Sequence, residues 1–194
     1  MKILKLYCPH CGEPLTYHHD PLQKYRLHVC DKCKYSLTNS STVDISFKSK
    51  GIAKALSNLC PYPFEFDGTK CASMESFIQS LRVKDIDMQI DVCSKSGPFC
   101  YSIRDLLGDW RETQSVYWQG KPIFREGNQY FMLLTKAYEA LIEQSPIFYN
   151  ALKQVKENNW ELIHSVGCTT SSKTLLTPSE YIAILNHLIK NFVE

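Results

Sequence analysis

The segment PFEFDGTKCASMESFIQSLR, residues 63–82, predicts the unit around which the fold is built. Residues 63–66 predict a short strand that runs into a turn at Asp67-Gly68, a pair that favours tight turns. Ser73 is a suitable N-cap for a helix that extends to about Lys84, because its hydroxyl can accept a backbone N–H of the first turn. The apolar residues of this helix share one face: Phe77, Ile78 and Leu81. The segment therefore predicts a strand, a turn and a helix with one buried face.

The flanking sequence predicts more helix than strand. Helices are predicted at 128–144, at 145–156 and after the capping box Thr177-Pro178-Ser179-Glu180, with a shorter one at 85–93. Short strands are predicted at 43–47 and 162–164. Residues 98–127 are rich in aromatic residues, and we expect an irregular segment there. The sequence therefore predicts an α+β fold that is mainly helical, with a few short strands.

Two CxxC pairs lie near the start of the chain, Cys8 with Cys11 and Cys30 with Cys33, eighteen residues apart. Each pair forms a tight knuckle, and two facing knuckles supply four thiolates in the tetrahedral arrangement that structural zinc requires. So short a segment cannot bury enough core to fold alone, so the metal must supply most of its stability. We therefore expect a zinc ribbon with one structural Zn²⁺ over residues 1–40 and a second domain over residues 41–194.

Basic and histidine side chains surround these cysteines. The histidines are expected to be exposed or to support the ligands, because four cysteines already complete the metal site: His10, His18, His19 and His28. The basic residues could contact nucleic acid or could simply keep the module soluble: Lys24, Arg26, Lys32 and Lys34. Both readings remain open from the sequence.

Composition narrows the classes of partner. The net charge is only +2, with 22 basic and 20 acidic residues, which is too balanced to indicate bulk binding to a phosphate backbone. No apolar run approaches the roughly 18 residues that a membrane span needs, and the start of the chain does not resemble a signal peptide. We therefore expect a cytoplasmic protein without a membrane partner, whose cysteines beyond the zinc ligands are small buried side chains.

Three groups of residues after the cysteine module occur in an informative order. They are Ser57-Asn58 with Asp67-Gly68, Glu75 and Gln79; then Asp109-Trp110 to Gln114, Tyr117 to Lys121, and Arg125; then His164-Ser165-Val166-Gly167 and Lys173 to Glu180. Together they resemble the NADAR superfamily, also called YbiA-like or RibX-like, over roughly residues 52–190. The resemblance implies a YbiA-like domain behind the zinc ribbon.

The resemblance implies an N-glycosidase. Members of the superfamily hydrolyse N-glycosidic bonds of ribosylated nitrogen compounds, including ADP-ribose attached to guanine in nucleic acid and riboflavin-pathway intermediates that carry ribose phosphate. The sequence departs from the better-known members after residue 160, where His164-Ser165-Val166-Gly167 stands in place of a D-x-x-W-G loop. The acidic residue and the tryptophan of that loop are absent.

Glu75 is the expected catalytic carboxylate. A carboxylate can stabilise the oxocarbenium-like transition state of glycoside hydrolysis or deprotonate the attacking water. Gln79 and Arg82 follow at i+4 and i+7 and share its helix face, where Gln79 could orient the water or a ribose hydroxyl and Arg82 could bind a phosphate. The alternatives are a first-turn glutamate that favours the helix dipole, a polar surface residue and a solvated charge.

Further candidates come from the same three groups. His164 could protonate the leaving group or bind a ribose hydroxyl, or be an ordinary core histidine. The expected substrate-binding residues comprise two that match the opening signature, two aromatic residues that could stack on a planar ring, and two basic residues that could contact a pyrophosphate: Ser57, Asn58, Trp110, Trp118, Lys121 and Arg125. The alternatives are core packing for the tryptophans, of which only one is expected to stack on a ligand, and ordinary surface charges for the two basic residues. Glu180 is better explained as the capping-box partner of Thr177.

Three functions remain open from the sequence. The first is a hydrolase that acts on an ADP-ribosyl or ribosyl-phosphate substrate, either a small molecule or an ADP-ribosylated nucleic acid. The second is a sensor that binds ADP-ribose or NAD without turnover, which the altered terminal loop favours. The third is a nucleic-acid adaptor that acts through the zinc ribbon, against which the balanced charge argues.

Overall fold

The computed structural model describes residues 7–8, 10–19, 26–38 and 42–194. The described part contains nine short strands: β1 Thr16–His19, β2 Arg26–Val29, β3 Ser36–Thr38, β4 Thr42–Asp44, β5 Phe64–Phe66, β6 Thr69–Cys71, β7 Ser115–Trp118, β8 Lys121–Phe124 and β9 Glu161–Ile163. It also contains seven α-helices: α1 Gly51–Ala55, α2 Met74–Ser80, α3 Ile86–Ser94, α4 Gly97–Ile103, α5 Asn128–Gln144, α6 Pro146–Glu157 and α7 Pro178–Asn191. The predicted α+β fold is confirmed.

The N-terminal module is a small antiparallel sheet in the order β1-β2-β3 beside the two CxxC turns. Tyr35 is buried there and packs edge-on against the ring of His10, with ring centroids 5.4 Å apart. The predicted roles of the side chains of His18, His19 and His28 and of Lys24 lie outside what the structure describes.

The hairpin of β5 and β6 turns at Asp67 and Gly68, as predicted, with φ angles of +49° and +76°. Helix α2 follows at once, and Ser73 is its N-cap as predicted. The Ser73 side chain accepts the backbone N–H of Ser76, and the Ser76 hydroxyl accepts the backbone N–H of Ser73. This reciprocal capping satisfies two backbone donors that a buried helix start would otherwise leave unpaired.

Helix α2 is buried on every side, not on one face only. All seven of its residues are buried, because α3, α4 and α5 pack around it. Gly97, at the start of α4, permits the closest approach: a Cβ there would lie 2.9 Å from Ser73 Oγ and 3.0 Å from Leu59 Cα. The polar residues of α2 therefore face either the protein interior or an internal cleft.

The long helices form the rest of the core. The boundaries of α5 and α6 agree with the predicted helices to within one residue, and Ser145 caps α6. The capping box of Thr177 and Glu180 starts α7, as predicted. Large buried side chains from these helices join one continuous core with α2: Tyr130, Leu134, Tyr138, Leu141, Phe148, Leu152, Tyr181 and Leu185.

The expectation of an irregular segment over residues 98–127 is wrong. The segment contains α4, a short 3₁₀ turn and the antiparallel hairpin β7–β8, which turns at Gln119-Gly120. A buried glutamine anchors the hairpin, because Gln89 Nε2 donates to the carbonyl of Tyr117 at 2.8 Å and Gln89 Oε1 accepts the N–H of Gln119 at 2.8 Å. Tertiary contacts therefore fix a segment whose own sequence shows no clear period.

The first strand of the main fold, β4, pairs in parallel with β9, the strand that precedes α7. The pairing continues one residue further, where the N–H of Ile45 donates to the carbonyl of Ile163 at 2.9 Å. The strand pair positions the residues that follow β9, including His164, next to α2. Within the described residues, no helix is long and apolar enough to cross a membrane.

Candidate active site

A cleft of about 310 Å³ opens between α2, the residues after β9 and the segment that precedes α7. Five of the residues predicted for the site line it: Asn58, Glu75, Gln79, Arg82 and His164. Its volume is at the lower end of the range for ligand pockets, roughly 300–1,000 Å³. The structure therefore brings together residues that are far apart in the sequence, such as Asn58 and His164.

Glu75 is the only acidic residue among those that line the cleft in the described chain. Only 9% of its surface is exposed, and its Oε1 accepts a hydrogen bond of 2.8 Å from Gln79 Nε2. Burial raises the pKa of the Glu75 carboxyl, and the bond from Gln79 and the charges of Arg104 and Arg82 offset part of the rise. A carboxyl with a raised pKa is suited to accepting and returning a proton near neutral pH.

Two polar atoms on the cleft wall are buried without a partner. Gln79 Oε1 and Arg82 Nε have no hydrogen bond within the described chain, although Gln79 is 6% exposed and Arg82 is 7% exposed. An unpaired buried donor or acceptor costs about 1–3 kcal/mol, so such groups in a pocket wall point to a bound ligand or water. For a ligand, Gln79 Oε1 is an available acceptor and Arg82 Nε is an available, positively charged donor.

Four basic side chains line the same cleft: Arg82, Arg104, Arg111 and Lys173. Arg82 Nη1 donates to the carbonyl of Arg104 at 2.8 Å, and Arg111 Nε donates to the carbonyl of Lys173 at 3.2 Å, so main-chain contacts fix two of the guanidinium groups. Burial lowers the pKa of Arg82, and the charge of Arg111 lowers it further. An anion between these groups would offset both the burial of the Arg82 charge and its repulsion by Arg111. Guanidinium groups bind phosphate well.

His164 reaches the cleft from the end of β9. Its Nδ1 lies 2.7 Å from the carbonyl oxygen of Ile45, which can only accept, so Nδ1 carries the proton and Nε2 remains for a ligand. The ring packs edge-on against Tyr181, with centroids 5.5 Å apart. Asp44 holds the next residue by accepting the N–H of Ser165 at 2.9 Å and its hydroxyl at 2.5 Å.

Asn58 forms the wall of the cleft beside α2. Its carbonyl accepts the N–H of Glu75 at 2.9 Å, and its Oδ1 accepts the hydroxyl of Tyr138 at 2.7 Å. Burial raises the pKa of Tyr138 well above its usual value, so this hydroxyl stays a donor. The Asn58 amide is thereby held with its Nδ2 donors available for a ligand.

Five other predicted residues do not line this cleft. Ser57 Oγ accepts the N–H of Leu59 at 3.4 Å within a turn. Trp110 and Trp118 are core residues, 2% and 6% exposed, and Trp118 Nε1 donates to Asp67 at 3.0 Å. Large aromatic side chains gain most from burial, which explains the placement of both tryptophans.

The two remaining basic candidates also lie elsewhere. Lys121 is exposed and lines a separate surface pocket that Trp118 and Asp67 share. Arg125 is 1% exposed and forms a two-bond ion pair with Glu180, which is therefore more than a capping residue. The basic residues that share the cleft with Arg82 were not predicted as site residues, because Arg104 and Lys173 lie on 3₁₀ turns and not on the helix face of Glu75.

The four cysteines near the N-terminus lie together as predicted, with their sulfur atoms within 4.8 Å of one another. Sulfur separations are 3.2 Å for Cys8–Cys33, 3.4 Å for Cys11–Cys30 and 3.9 Å for Cys11–Cys33. Tetrahedral thiolates at 2.3 Å from a zinc ion would be about 3.8 Å apart, so the donor set fits such an ion. Both knuckles end on a left-handed residue, Gly12 with φ +71° and Lys34 with φ +58°.

Comparisons with known proteins agree with this fold. The chain matches the family described as bacteriophage protein GP30.3 over residues 50–190, which leaves the cysteine cluster outside the match. An uncharacterized 17.1 kDa protein in the Gp30-rIII intergenic region of Enterobacteria phage T4 is 30% identical over 135 residues, covering 69% of this chain and 88% of that protein. The NMR structure of the E. coli protein YbiA matches with a TM-score of 0.52 and 13% identity, covering 77% of this chain and 83% of that one. The domain after the cysteine cluster is thus YbiA-like in fold, and the chain belongs to the bacteriophage protein GP30.3 family.

Proposed function

We propose that the protein is an N-glycosidase that hydrolyses the bond between a ribosyl carbon and nitrogen in a phosphate-bearing substrate. The observation that carries this proposal is the buried Glu75 carboxyl, held by Gln79 in a cleft whose other charged side chains are all basic. The substrate is either ADP-ribosylated, for example on guanine in nucleic acid, or a ribosyl phosphate. The resemblance to the NADAR superfamily supports the same reaction class.

The reaction needs a group that tolerates and stabilises positive charge at the anomeric carbon. As the C–N bond breaks, its electron pair leaves with the nitrogen, and the ionised Glu75 stabilises the oxocarbenium-like transition state. Water then forms the new C–O bond, and its proton passes to Glu75. Gln79 occupies one carboxylate oxygen and leaves the other for the water or for a ribose hydroxyl.

The leaving nitrogen requires a proton, and His164 is the candidate donor. The carbonyl of Ile45 takes the hydrogen bond from Nδ1, so Nε2 is the atom that can be protonated and can face the leaving group. Arg82, Arg104, Arg111 and Lys173 would hold the phosphate, which orients the sugar above Glu75. Asn58 would donate to a ribose hydroxyl.

The test is release of ADP-ribose from ADP-ribosylated guanine in DNA, and of free base from a ribosyl-phosphate substrate. Wild type is compared with Glu75→Gln and with Glu143→Gln, a matched control on the exposed side of α5. We expect Glu75→Gln to lose at least about 100-fold in rate, as removal of a catalytic acid–base group does, and Glu143→Gln to keep the wild-type rate. Equal rates in all three proteins would refute the role of Glu75.

A binding-only sensor of ADP-ribose or NAD is the second candidate. Glycosidases commonly use two carboxyl groups, whereas the described residues that line this cleft include Glu75 alone. Saturable binding of ADP-ribose by a protein that releases no base from either substrate would favour the sensor. Release that disappears in Glu75→Gln would exclude it.

For the cysteine cluster we propose Zn²⁺ in a structural role. All four ligands are thiolates, so no coordination position remains open for a substrate or a water. The ion would fix the two knuckles relative to the β1–β3 sheet and take no part in the reaction. Metal analysis of the purified chain tests the identity of the ion directly.

A further inference from the structure

Tyr101 is an exposed aromatic residue at the mouth of the cleft. It lies on α4, lines the cleft together with Glu75 and Arg104, and keeps 49% of its surface exposed. The Arg104 guanidinium carbon stands over the ring at 4.1 Å from its centroid. Because Arg104 covers one face of the ring, a ligand that stacks on Tyr101 would contact the opposite face.

The Tyr101–Arg104 pair is fixed from both sides. Arg104 Nη1 donates to the carbonyl of Tyr101 at 2.7 Å, and the carbonyl of Arg104 accepts Arg82 Nη1 at 2.8 Å. Gly97 sets the start of α4 against Ser73, the N-cap of the helix that carries Glu75. These contacts set the position of Tyr101 and Arg104 relative to the cleft.

We propose that Tyr101 determines the class of leaving group by stacking on a planar aromatic base. This inference rests on the proposed function and adds to it the chemistry of the group that leaves. An aromatic side chain can stack on any nucleobase, but it adds little binding affinity for an aliphatic leaving group. Stacking on a nucleobase strengthens binding by roughly 5- to 150-fold. The guanidinium behind the ring adds a cation–π contact that keeps it flat against the ligand.

The position of the ring, more than its exposure, distinguishes Tyr101. Phe99 on the same helix is equally exposed, at 48%, but only Tyr101 lines the cleft beside Glu75 and Arg104. Of the four basic residues of the cleft, Arg82 is buried, whereas Arg104 and Arg111 are partly exposed and Lys173 is exposed, and Tyr101 lies beside Arg104. A ribosyl phosphate whose phosphate binds Arg82 would therefore present its base towards the mouth and towards Tyr101.

The test compares equilibrium binding of two probes that share a phosphate and a ribose and differ in the base: GMP and ribose 5-phosphate. Both are titrated into the full chain of the wild type, Tyr101→Leu, Tyr101→Trp and Phe99→Leu. Phe99 is the matched control, because it is 48% exposed on the same helix but does not line the cleft. Free guanine is measured in the same samples, so that hydrolysis is recorded separately from binding.

We expect wild type, Tyr101→Trp and Phe99→Leu to bind GMP at least about 5-fold more tightly than ribose 5-phosphate. In Tyr101→Leu this difference should close, while the affinity for ribose 5-phosphate stays unchanged. The inference is overturned if the difference is absent from wild type, if it survives in Tyr101→Leu, or if both affinities fall together. Absence of turnover on every glycoside, with the binding difference intact, would overturn the proposed reaction alone.

Discussion

Arg125 and Glu180 form a two-bond ion pair that joins the end of β8 to the first turn of α7. Arg125 Nη1 lies 2.9 Å from Oε1, and Nη2 lies 2.7 Å from Oε2. Burial opposes the ionisation of Glu180, but the hydrogen bonds from Arg125 and from the N–H of Thr177 outweigh it and lower its pKa. The guanidinium also donates to the carbonyl of Thr174 at 2.8 Å and stacks over Tyr130. Arg125, which was expected to bind substrate, therefore connects the end of β8 to the start of α7.

The first prediction separates these two roles of Arg125. Arg125→Met should lower the unfolding free energy by roughly 2–4 kcal/mol, because it leaves Glu180 without its partner in a partly buried position. Urea unfolding followed by circular dichroism measures the loss, with Lys121→Met as an exposed control that should change stability by less than about 0.5 kcal/mol. A variant with unchanged stability but weaker phosphate binding would instead support the substrate-binding role.

The elements that the sequence predicted well carry their signals locally. Ser73 and Thr177 begin helices because each side chain accepts an N–H of the following turn, an interaction that spans three residues. Asp67-Gly68 supplies the positive φ angles of its turn by itself. The hairpin β7–β8 was missed because its turn places Gln119, an unusual residue for φ +49°, in the left-handed region.

The site was only partly predictable, because only some of its residues are brought together by local structure. Glu75, Gln79 and Arg82 share one helix face, so their meeting follows from helical spacing. Arg104 and Lys173 reach the cleft only through the packing of distant segments, and neither lies in a periodic element. A sequence shows which residues are basic, but not which loops converge on one cavity.

The second prediction concerns the stability cost of Glu75. Its folded pKa is raised above the unfolded value of about 4.3, so ionisation favours the unfolded chain, and the cost appears as pH rises above that value. Glu75→Gln should therefore raise the unfolding free energy at pH 7 by about 0.5–2 kcal/mol while abolishing turnover. At about pH 3, well below the unfolded value, the gain should vanish, because both states then hold the proton.

Chemical unfolding of wild type and Glu75→Gln at several pH values measures this difference. Glu143→Gln, an exposed substitution on α5, serves as the control. If Glu75→Gln were less stable than wild type at pH 7, the ionised carboxylate would be a net stabilising group, contrary to the effect of its burial.

The third prediction addresses the metal. The purified chain should contain one zinc ion, and Cys30→Ser should lose it, because Cys30 is one of the four clustered thiols. The helical circular dichroism signal should persist after metal loss, since the helices lie within residues 51–191. Limited proteolysis should then cut within residues 7–38. Cys168→Ser, which alters a thiol outside the cluster, should retain the ion, and loss of the helical signal in Cys30→Ser would contradict the prediction.

The last prediction tests how the cysteine module is attached to the main fold. Gly51, the first residue of α1, has φ +58°, and a Cβ there would lie 2.2 Å from Cε2 of the buried Tyr35. Gly51→Ala should therefore combine backbone strain with a clash, whereas Gly68→Ala, at φ +76° with nothing within 4 Å, isolates the strain. We expect Gly51→Ala to cost roughly 1–3 kcal/mol more than Gly68→Ala.

A double-mutant cycle with Tyr35→Ala assigns that excess. If the ring of Tyr35 causes it, the excess should disappear when alanine replaces both Tyr35 and Gly51, because the Cβ at position 51 then no longer meets the ring. Unfolding free energies of the four proteins give the coupling. Equal costs for Gly51→Ala with and without Tyr35 would mean that the contact carries no energy, and the module would then be attached through other residues. A coupling of the expected size would show that the packing of Tyr35 on Gly51 joins the metal-binding module to the first helix of the main fold.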